Sequence, residues 1–357
     1  MAAFNRKTSL FIGVFKDEAN TSQGYLIDSL DYEFDVTLST QYMKSAATFT
    51  IYNPNQQTVN EIMNNGTGVI FQAGYDDPNG EPQVGTLFVG QVACVYTETE
   101  GSEAEKLIVI CKSQRGAEYP LQRTFITAVI ERGRSYYDVA KTIADYVGVP
   151  LSGAEILKDR KLEDDYIING NVRSEIENFM KRVLRSFGGS YILSNNEFIY
   201  IEPGNVARFS TVVLNYNSGL ISAKKRRDDR FQTTEDAFQS NLDYYIGLAD
   251  KFDEKVILQQ AIEKVIPPKN EVEFECLINP QIHVGQPVDI DARINKDDLN
   301  AVNGKFYVTD IHITGDNFGN QFMMNCAAEE KVEMTEEQLR KVNELGARLK
   351  ALEDKDS

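Results

Sequence analysis

A succession of strand patterns occurs twice in this chain of 357 residues. The first copy has FTIYNP (49–54), a glycine, the strand VIFQAGY and the hairpin LFVGQVACVYTETEGSEAEKLIVICKS. The second has ECLINP (275–280), a glycine, PVDIDAR and the hairpin FYVTDIHITGDNFGNQFMMNCAA. The strand that ends in this second Asn-Pro, EVEFECLI (271–278), alternates apolar and acidic residues, which predicts a strand with one buried face. The shared order indicates a duplicated antiparallel β-domain, although such domains in general resemble one another.

Between the two copies, the sequence predicts a small α+β domain. Ser135 and Asp138 form a capping box for the helix SYYDVAKTIADYV, and Ser174 with Glu177 repeats the pattern for SEIENFMKRVLRSF. Two short strands, SYILS and EFIYIEP, follow the second helix. The middle of the chain therefore differs in kind from its β-rich flanks.

We predict an α+β fold that is mainly β, with two related small antiparallel β-barrels. The domains expected are a first β-barrel at 1–115, an α+β domain at 116–205, a second β-barrel at 206–333 and a C-terminal helix at 334–357. A helical insertion at 224–269 interrupts the second barrel. In the first barrel, a short helix capped by Asn53 is expected after the Asn-Pro motif.

Charge and cysteine content argue against several classes of protein. The formal net charge is −17, whereas nucleic-acid binding relies on clustered Lys and Arg. The four cysteines lie in predicted strands without a CxxC pair, which favours reduced core residues over a zinc or iron–sulfur site: Cys94, Cys111, Cys276 and Cys326. No secretory segment and no apolar run near the roughly 20 residues of a membrane helix is visible. We expect a soluble protein made in the cytoplasm.

The stretch HITGDNFGNQF (312–322) contains one of the two histidines of the chain. His312 and Asp316 could form half of a metal site or an acid/base pair, or they could belong to a β-hairpin corner. In strand phase, His312 shares a polar face with Asp310 and Thr314. Asp316 falls in the expected loop. The hairpin interpretation is favoured, with His312 directed to solvent or to a subunit contact.

The segment KKRRDDR (224–230) is the strongest basic cluster of the chain. It suits either a solvated turn paired with its own aspartates or a contact with an acidic partner, such as another copy of this acidic protein. The candidate subunit-contact residues are Lys224, Lys225, Arg226, Arg227 and His312. No Walker phosphate loop, GxSxG or HExxH motif is present, so no catalytic, cofactor-binding or metal-binding residue is predicted.

The second copy resembles the baseplate hub proteins of contractile-tailed bacteriophages, the late-control protein D family and hub subunits of related injection machines. The resemblance rests on GLIS (219–222), LINPQIHVGQPVDI and a hairpin loop of the form His-x-x-Gly-Asp-x-x-Gly, filled by His312, Gly315, Asp316 and Gly319. FTIYNPNQQTVNEI, QAGY and LFVGQV are similar to the first barrel of that family. SYYDVAKTIADYVGV and GGSYILSNNEFIYIEPG are similar to its intervening domain. The resemblance covers most of residues 30–330.

The resemblance implies a structural protein and no cofactor. It implies a homotrimer whose two barrels per chain form a pseudo-hexameric ring between a sixfold tail tube and a threefold central spike. The partners implied are the tube, the spike, the tape-measure protein and other baseplate proteins, with phage DNA passing through the lumen unbound. Two alternatives remain: the distal tail hub of a long flexible-tailed phage, and a tail-tip peptidoglycan hydrolase.

Overall fold

The computed structural model is an α+β fold that is mainly β, as predicted. The chain divides into two compact units: residues 1–223 with 274–327, and residues 224–273 with 328–357. The structure describes residues 5–17, 20–40, 45–76, 83–100, 104–112, 125–148, 150–172, 174–176, 178–179, 190–194, 197–201, 210–226, 244, 247–248, 254, 257, 269–294, 298, 301–319, 321–331, 340, 344, 347–348 and 351.

In the part of the chain that the structure describes, the first barrel has seven strands and one helix. They are β1 (Asn5–Asp17), β2 (Asn20–Ile27), β3 (Tyr32–Ser39), β4 (Ala46–Tyr52), α1 (Gln56–Asn65), β5 (Gly68–Asp76), β6 (Gln83–Glu100) and β7 (Ala104–Lys112). Their order in the sheet is β3-β4-β7-β6-β5-β1-β2. Three strands separate β3 from β5, which in a flat sheet would place them about 19 Å apart. Because the rings of Phe34 on β3 and Phe71 on β5 lie 4.6 Å apart, the sheet curls around its core.

The second barrel repeats this strand order. Its strands are β13 (Val212–Asn215), β14 (Leu220–Arg226), β15 (Lys269–Cys276), β16 (Pro287–Asp291), β17 (Asn303–Asp316) and β18 (Phe322–Lys331). The order β14-β15-β18-β17-β16-β13 matches β3-β4-β7-β6-β5-β1 strand for strand. One difference is that β13 pairs with β16 in parallel, whereas β1 pairs with β5 antiparallel. The topology supports the duplication that the sequence pattern indicated.

Where the structure describes it, the middle of the chain forms two small sheets and their helices. The elements are β8 (Phe125–Ile130), α2 (Tyr136–Val147), β9 (Leu151–Ser152), a 3-10 helix (Glu155–Lys158), β10 (Tyr166–Asn171), β11 (Ser190–Ser194) and β12 (Glu197–Ile201). β8 pairs with β10, and β9 joins the β11–β12 hairpin in parallel. The sequence predicted α2, β11 and β12 but not β8, β9 or β10. The domain bounds drawn from the sequence stay a prediction.

Two of the helix caps predicted from the sequence were wrong. The Ser135–Asp138 capping box is confirmed, and Gly148 ends α2 in a left-handed conformation. The first-barrel helix, however, is capped by Asn55 and not by Asn53, since Asn55 accepts the Thr58 N–H at 2.8 Å.

The helix after β10 also begins before its predicted cap. Val172 is already helical, and the Asn171 side chain accepts the Ser174 N–H at 2.8 Å. Ser174 therefore lies inside the first turn. Glu177, the other half of the predicted capping box, lies outside the described residues.

The cysteine prediction was right for three positions and wrong for one. Cys111, Cys276 and Cys326 are buried, and burial raises the thiol pKa of Cys111 and Cys326. Cys94 is exposed. It follows a β-bulge at Val92–Cys94, beyond which most of the described side chains of β6 are exposed. Strand periodicity cannot show that a strand leaves its core.

The compact unit of residues 224–273 and 328–357 contains the insertion and the C-terminal segment. Positions 244, 247, 248, 254 and 257 are helical, as are 340, 344, 347, 348 and 351. The guanidinium of Arg348 donates to the carboxylate of Glu254. The insertion and the C-terminal segment are thus in contact within this unit.

Candidate assembly interface

The two barrels are joined by direct strand pairing. β17 is long enough to serve two neighbours: its first part pairs with β16, from Asp291↔Asn303 to Pro287↔Tyr307. Its second part pairs antiparallel with β3 of the first barrel. The backbone N–H of Thr40 extends this ladder by donating to the carbonyl of Thr309 at 2.8 Å. One sheet therefore runs through both barrels.

The loop after β17 is organised by the carboxylate of Asp316, which is 4% exposed. It accepts the backbone N–H groups of Phe318, Gly319 and Gln321, the last at 2.8 Å. Gly319 has φ +111°, which a residue with a side chain rarely adopts. The prediction that HITGDNFGNQF is a hairpin corner is confirmed, and the carboxylate of Asp316 is occupied by the turn itself.

The same loop also binds the first barrel. Asn317 accepts the N–H of Tyr32 at 2.8 Å through Oδ1 and donates to the carbonyl of Leu30 at 2.8 Å through Nδ2. Its own N–H donates to the Tyr32 carbonyl at 3.2 Å. Arg6 of β1 donates to the carbonyl of Gly319 at 3.0 Å. The side chain of Asn317 thus pairs with the N–H of Tyr32 and the carbonyl of Leu30, where the chain enters β3.

Aromatic side chains pack beneath these hydrogen bonds. Phe322, at the start of β18, lies 6.0 Å from Phe34 and 5.3 Å from Tyr75, both edge-to-face contacts with the first barrel. The guanidinium carbon of Arg6 lies 5.4 Å from the Phe322 ring centroid. A side chain on Gly315 would place its Cβ 2.5 Å from the ring of Phe34. The close approach requires glycine at this position.

His312 and Asp316 do not act together. His312 Nε2 lies 3.0 Å from Oδ1 of Asp35 on β3, and both side chains are about half exposed, at 47% and 59%. This side-chain contact therefore crosses the junction, while Asp316 points into its loop. A groove of about 410 Å³ beside the junction is lined by Glu33, Asp35 and Asp316. Within the described part of the chain, no three His, Cys, Asp or Glu side chains are arranged to hold a metal ion.

The basic cluster is not a turn where the structure describes it. The strand β14 extends beyond its last buried residue and ends with Lys224, Lys225 and Arg226. Nζ of Lys224 lies 2.7 Å from Glu273. Lys225 is exposed, and Arg227 lies outside the described residues. Their predicted role in subunit contact stays a prediction, as does that of His312 between subunits.

Sequence reasoning missed most of the junction. The sequence predicted no contact between the barrels for Arg6, Tyr32, Asn317 or Phe322, since their contacts join residues almost a whole chain length apart. It placed Phe322 only on a strand face with Met324 and Cys326, and Asn317 only in the hairpin loop. Asn317 carried a weak signal, because Asn in a hairpin loop often binds backbone groups. Nothing in the sequence indicated that its partners lie in the other barrel.

In the described residues, no helix is long and apolar enough to cross a membrane. By sequence, no protein-family model and no curated protein matches the chain.

Solved structures do match. A tail protein from Neisseria meningitidis MC58 superimposes with a TM-score of 0.54 at 10% identity, over 92% of this chain and 97% of that one. The 43 kDa tail protein of prophage MuSo2 from Shewanella oneidensis gives 0.52 at 10% identity, over 91% and 98%. The chain shares the fold of these two tail proteins. The lidded PdpA-VgrG complex from Francisella gives 0.50 at 8% identity, over 93% of this chain and 54% of that one.

Proposed function

We propose that this protein is a non-enzymatic structural hub of a phage tail baseplate. Three copies would form a ring of six barrels that joins the sixfold tail tube to the threefold central spike. The tape-measure protein and other baseplate proteins would be its further neighbours in the virion. Phage DNA would pass through the lumen during genome ejection without specific binding.

The observation that carries this proposal is the pair of barrels with one strand order joined edge to edge in a single chain. Three such chains present six similar faces, which is what an adaptor between sixfold and threefold symmetry needs. The fold match to two tail proteins over nearly the whole of each chain supports the same role. The net charge of −17 suits a surface along which DNA slides.

The candidate chemical residues support a structural role. The most promising pair from the sequence is divided between two tasks: Asp316 organises its loop, and His312 contacts Asp35 of the other barrel. Both tasks position backbone and strands at the junction.

The test is the mass of the purified full chain in solution, followed by electron microscopy of the same sample. We expect three times the 40.2 kDa of the chain and a ring with six similar lobes. A monomer, both alone and with tube and spike proteins added, would overturn the hub proposal.

A cell-wall zymogram separates the hydrolase alternative: the hub leaves the wall intact, and clearing would favour the enzyme. Co-sedimentation with a contractile-tail spike separates the baseplate hub from the distal hub of a flexible tail.

A further inference from the structure

The two barrels differ in how one strand edge is covered. The second part of β17, from Asp310 to Asp316, has β18 on one side and β3 of the first barrel on the other. Its counterpart in the first barrel is the second part of β6, Val92–Glu100. Among the described residues, that segment pairs with β7 alone.

Backbone hydrogen bonds fix the correspondence between β6 and β17. In the first barrel, the β5–β6 ladder ends at Gly68↔Gln91, and Val92 then donates to the carbonyl of Thr67 at 3.0 Å. In the second barrel, the β16–β17 ladder ends at Pro287↔Tyr307, and Val308 then donates to the carbonyl of Gln286 at 3.0 Å. Val92 and Val308 therefore occupy the same position, and the strand beyond each should have the same neighbours.

A second pair of bonds fixes the counterpart of β3. Tyr52 donates to the carbonyl of Asp31 at 2.9 Å just before β3 begins at Tyr32. Leu277 donates to the carbonyl of Gly219 at 2.9 Å just before β14 begins at Leu220. β14 thus takes the place of β3. Within the described residues it is the last strand of the sheet, and its outer edge pairs with no strand of its own chain.

We propose that Val92–Glu100 of β6 pairs antiparallel with β14 of a second copy of this chain, repeating between subunits the junction that β17 and β3 make within one. This inference rests on the proposed function and names the strands that close its ring. The contact is head-to-tail, so each subunit offers one β6 edge and one β14 edge, and such contacts form a closed ring when the rotation closes.

Charge supports β14 as the partner. The free part of β6 carries Glu98 and Glu100 and no basic residue, whereas β14 ends in Lys224, Lys225 and Arg226. Within the chain, His312 of β17 pairs with Asp35 of β3 across the equivalent edge. In the proposed contact between chains the arrangement is reversed. The acidic residues lie on β6, the counterpart of β17, and the basic residues lie on β14, the counterpart of β3. Opposite charges on facing strands fix register and exclude other edges.

The internal junction also gives the register. Ile313 lies opposite Val36, and His312 lies opposite Thr37. Counting from Val92 and from Leu220, Thr97 falls opposite Lys224, or opposite Lys225 if the bulge at Ala93 shifts β6 by one residue. Facing residues of antiparallel strands have Cα atoms about 4.5–5.5 Å apart, a separation that a disulfide spans.

The test is oxidative cross-linking of the full chain in a Cys94→Ser background. Two double variants, Thr97→Cys with Lys224→Cys and Thr97→Cys with Lys225→Cys, cover the two registers. We expect one of them to give covalent dimers and trimers on a non-reducing gel. The control is Thr97→Cys with Leu26→Cys, because Leu26 is 51% exposed on β2 at the opposite end of the sheet. The control should stay un-cross-linked.

The outcomes separate the two proposals. The protein could form trimers although neither double variant cross-links, or the β2 control could cross-link. Either result would overturn the strand assignment and leave the hub proposal standing. A protein that remains monomeric would overturn both.

A charge exchange gives a second measurement that does not depend on cysteines. Glu98→Lys should weaken subunit association roughly two- to fivefold, the range of one cross-strand ion pair. The rescuing change depends on the register, because Glu98 lies diagonal to Lys225 if Thr97 faces Lys224 and directly opposite Lys224 if Thr97 faces Lys225. Adding Lys225→Glu in the first case, or Lys224→Glu in the second, should restore at least part of that affinity. Additive losses in the double variant would contradict the proposed pairing of these two strands.

Discussion

The two barrels share a strand order but are filled by different side chains. Large aromatic rings occupy the first core, where Phe71 lies 4.6 Å from Phe34 and 5.3 Å from Phe49. The second core buries the rings of Phe274 and Phe306 as well, but Ile290 takes the place that Phe71 has in the first core. The neighbouring strands β15 and β18 bury the small thiols Cys276 and Cys326 there. The comparison teaches that the hydrogen-bonded ladder sets the topology, whereas the filling of the core can differ between copies.

The largest expected effect comes from deleting an aromatic ring from the first core. Phe71→Ala should lower the free energy of unfolding by about 3–5 kcal/mol, because it removes a fully buried ring and leaves a cavity between two others. Cys326→Ala, a smaller deletion in the second core, should cost only about 1 kcal/mol. Urea unfolding followed by circular dichroism measures both, since the chain has no tryptophan. Equal losses would contradict the expectation that a buried ring in the first core contributes more than a buried thiol in the second.

The junction residue Asn317 should give the next largest effect. Asn317→Ala leaves the N–H of Tyr32 and the carbonyl of Leu30 without their partner, which costs about 1–3 kcal/mol. Asn215→Ala is the matched control, because its side chain binds the N–H groups of Asn217 and Ser218 in an exposed local turn. We expect the control to cost less. A smaller loss for Asn317 than for Asn215 would show that this bridge contributes little to holding the barrels together.

The sequence predicted what depends on local pattern. Alternation in EVEFECLI correctly assigned Val272, Phe274 and Cys276 to the core face of β15. The repeated Asn-Pro motif found the duplication, yet it is one residue out of phase with the structure. Leu277 corresponds to Tyr52 by its backbone hydrogen bond, whereas alignment of the motifs would match it to Ile51. Matching letters locate a repeat, but the ladder fixes its register.

The candidate site was less predictable because its contacts are long-range. Strand phase placed His312 on a polar face, and the side chain is indeed about half exposed. That its partner is Asp35, 277 positions earlier, follows only from the pairing of β17 with β3. No local pattern carries that information.

The short helix α1 distinguishes the first barrel from the second, where only turns connect β15 to β16. Asn55→Ala should lower the free energy of unfolding by about 1 kcal/mol, because the N–H of Thr58 loses its cap. Asn53→Gly should be neutral or slightly stabilising, since Asn53 has φ +47°. Thermal unfolding of the two variants compares them directly. A larger loss at Asn53 would restore the cap predicted from the sequence.

The smallest effect is expected at the His312–Asp35 contact across the junction. Asp35→Asn removes the charge opposite His312 but keeps a side chain of the same size, so the free energy of unfolding should fall by less than about 1 kcal/mol. Both side chains are about half exposed, and water screens their attraction. The matched variant His312→Gln should give a similar small loss, and the double variant should lose little more than either one. If the two losses simply added, the pair would not be coupled. If Asp35→Asn instead abolished an activity on cell-wall substrate while leaving the fold intact, His312 and Asp35 would be a catalytic pair. A change in stability without any change in activity would support a structural role. These two side chains meet only because the two barrels pair with each other.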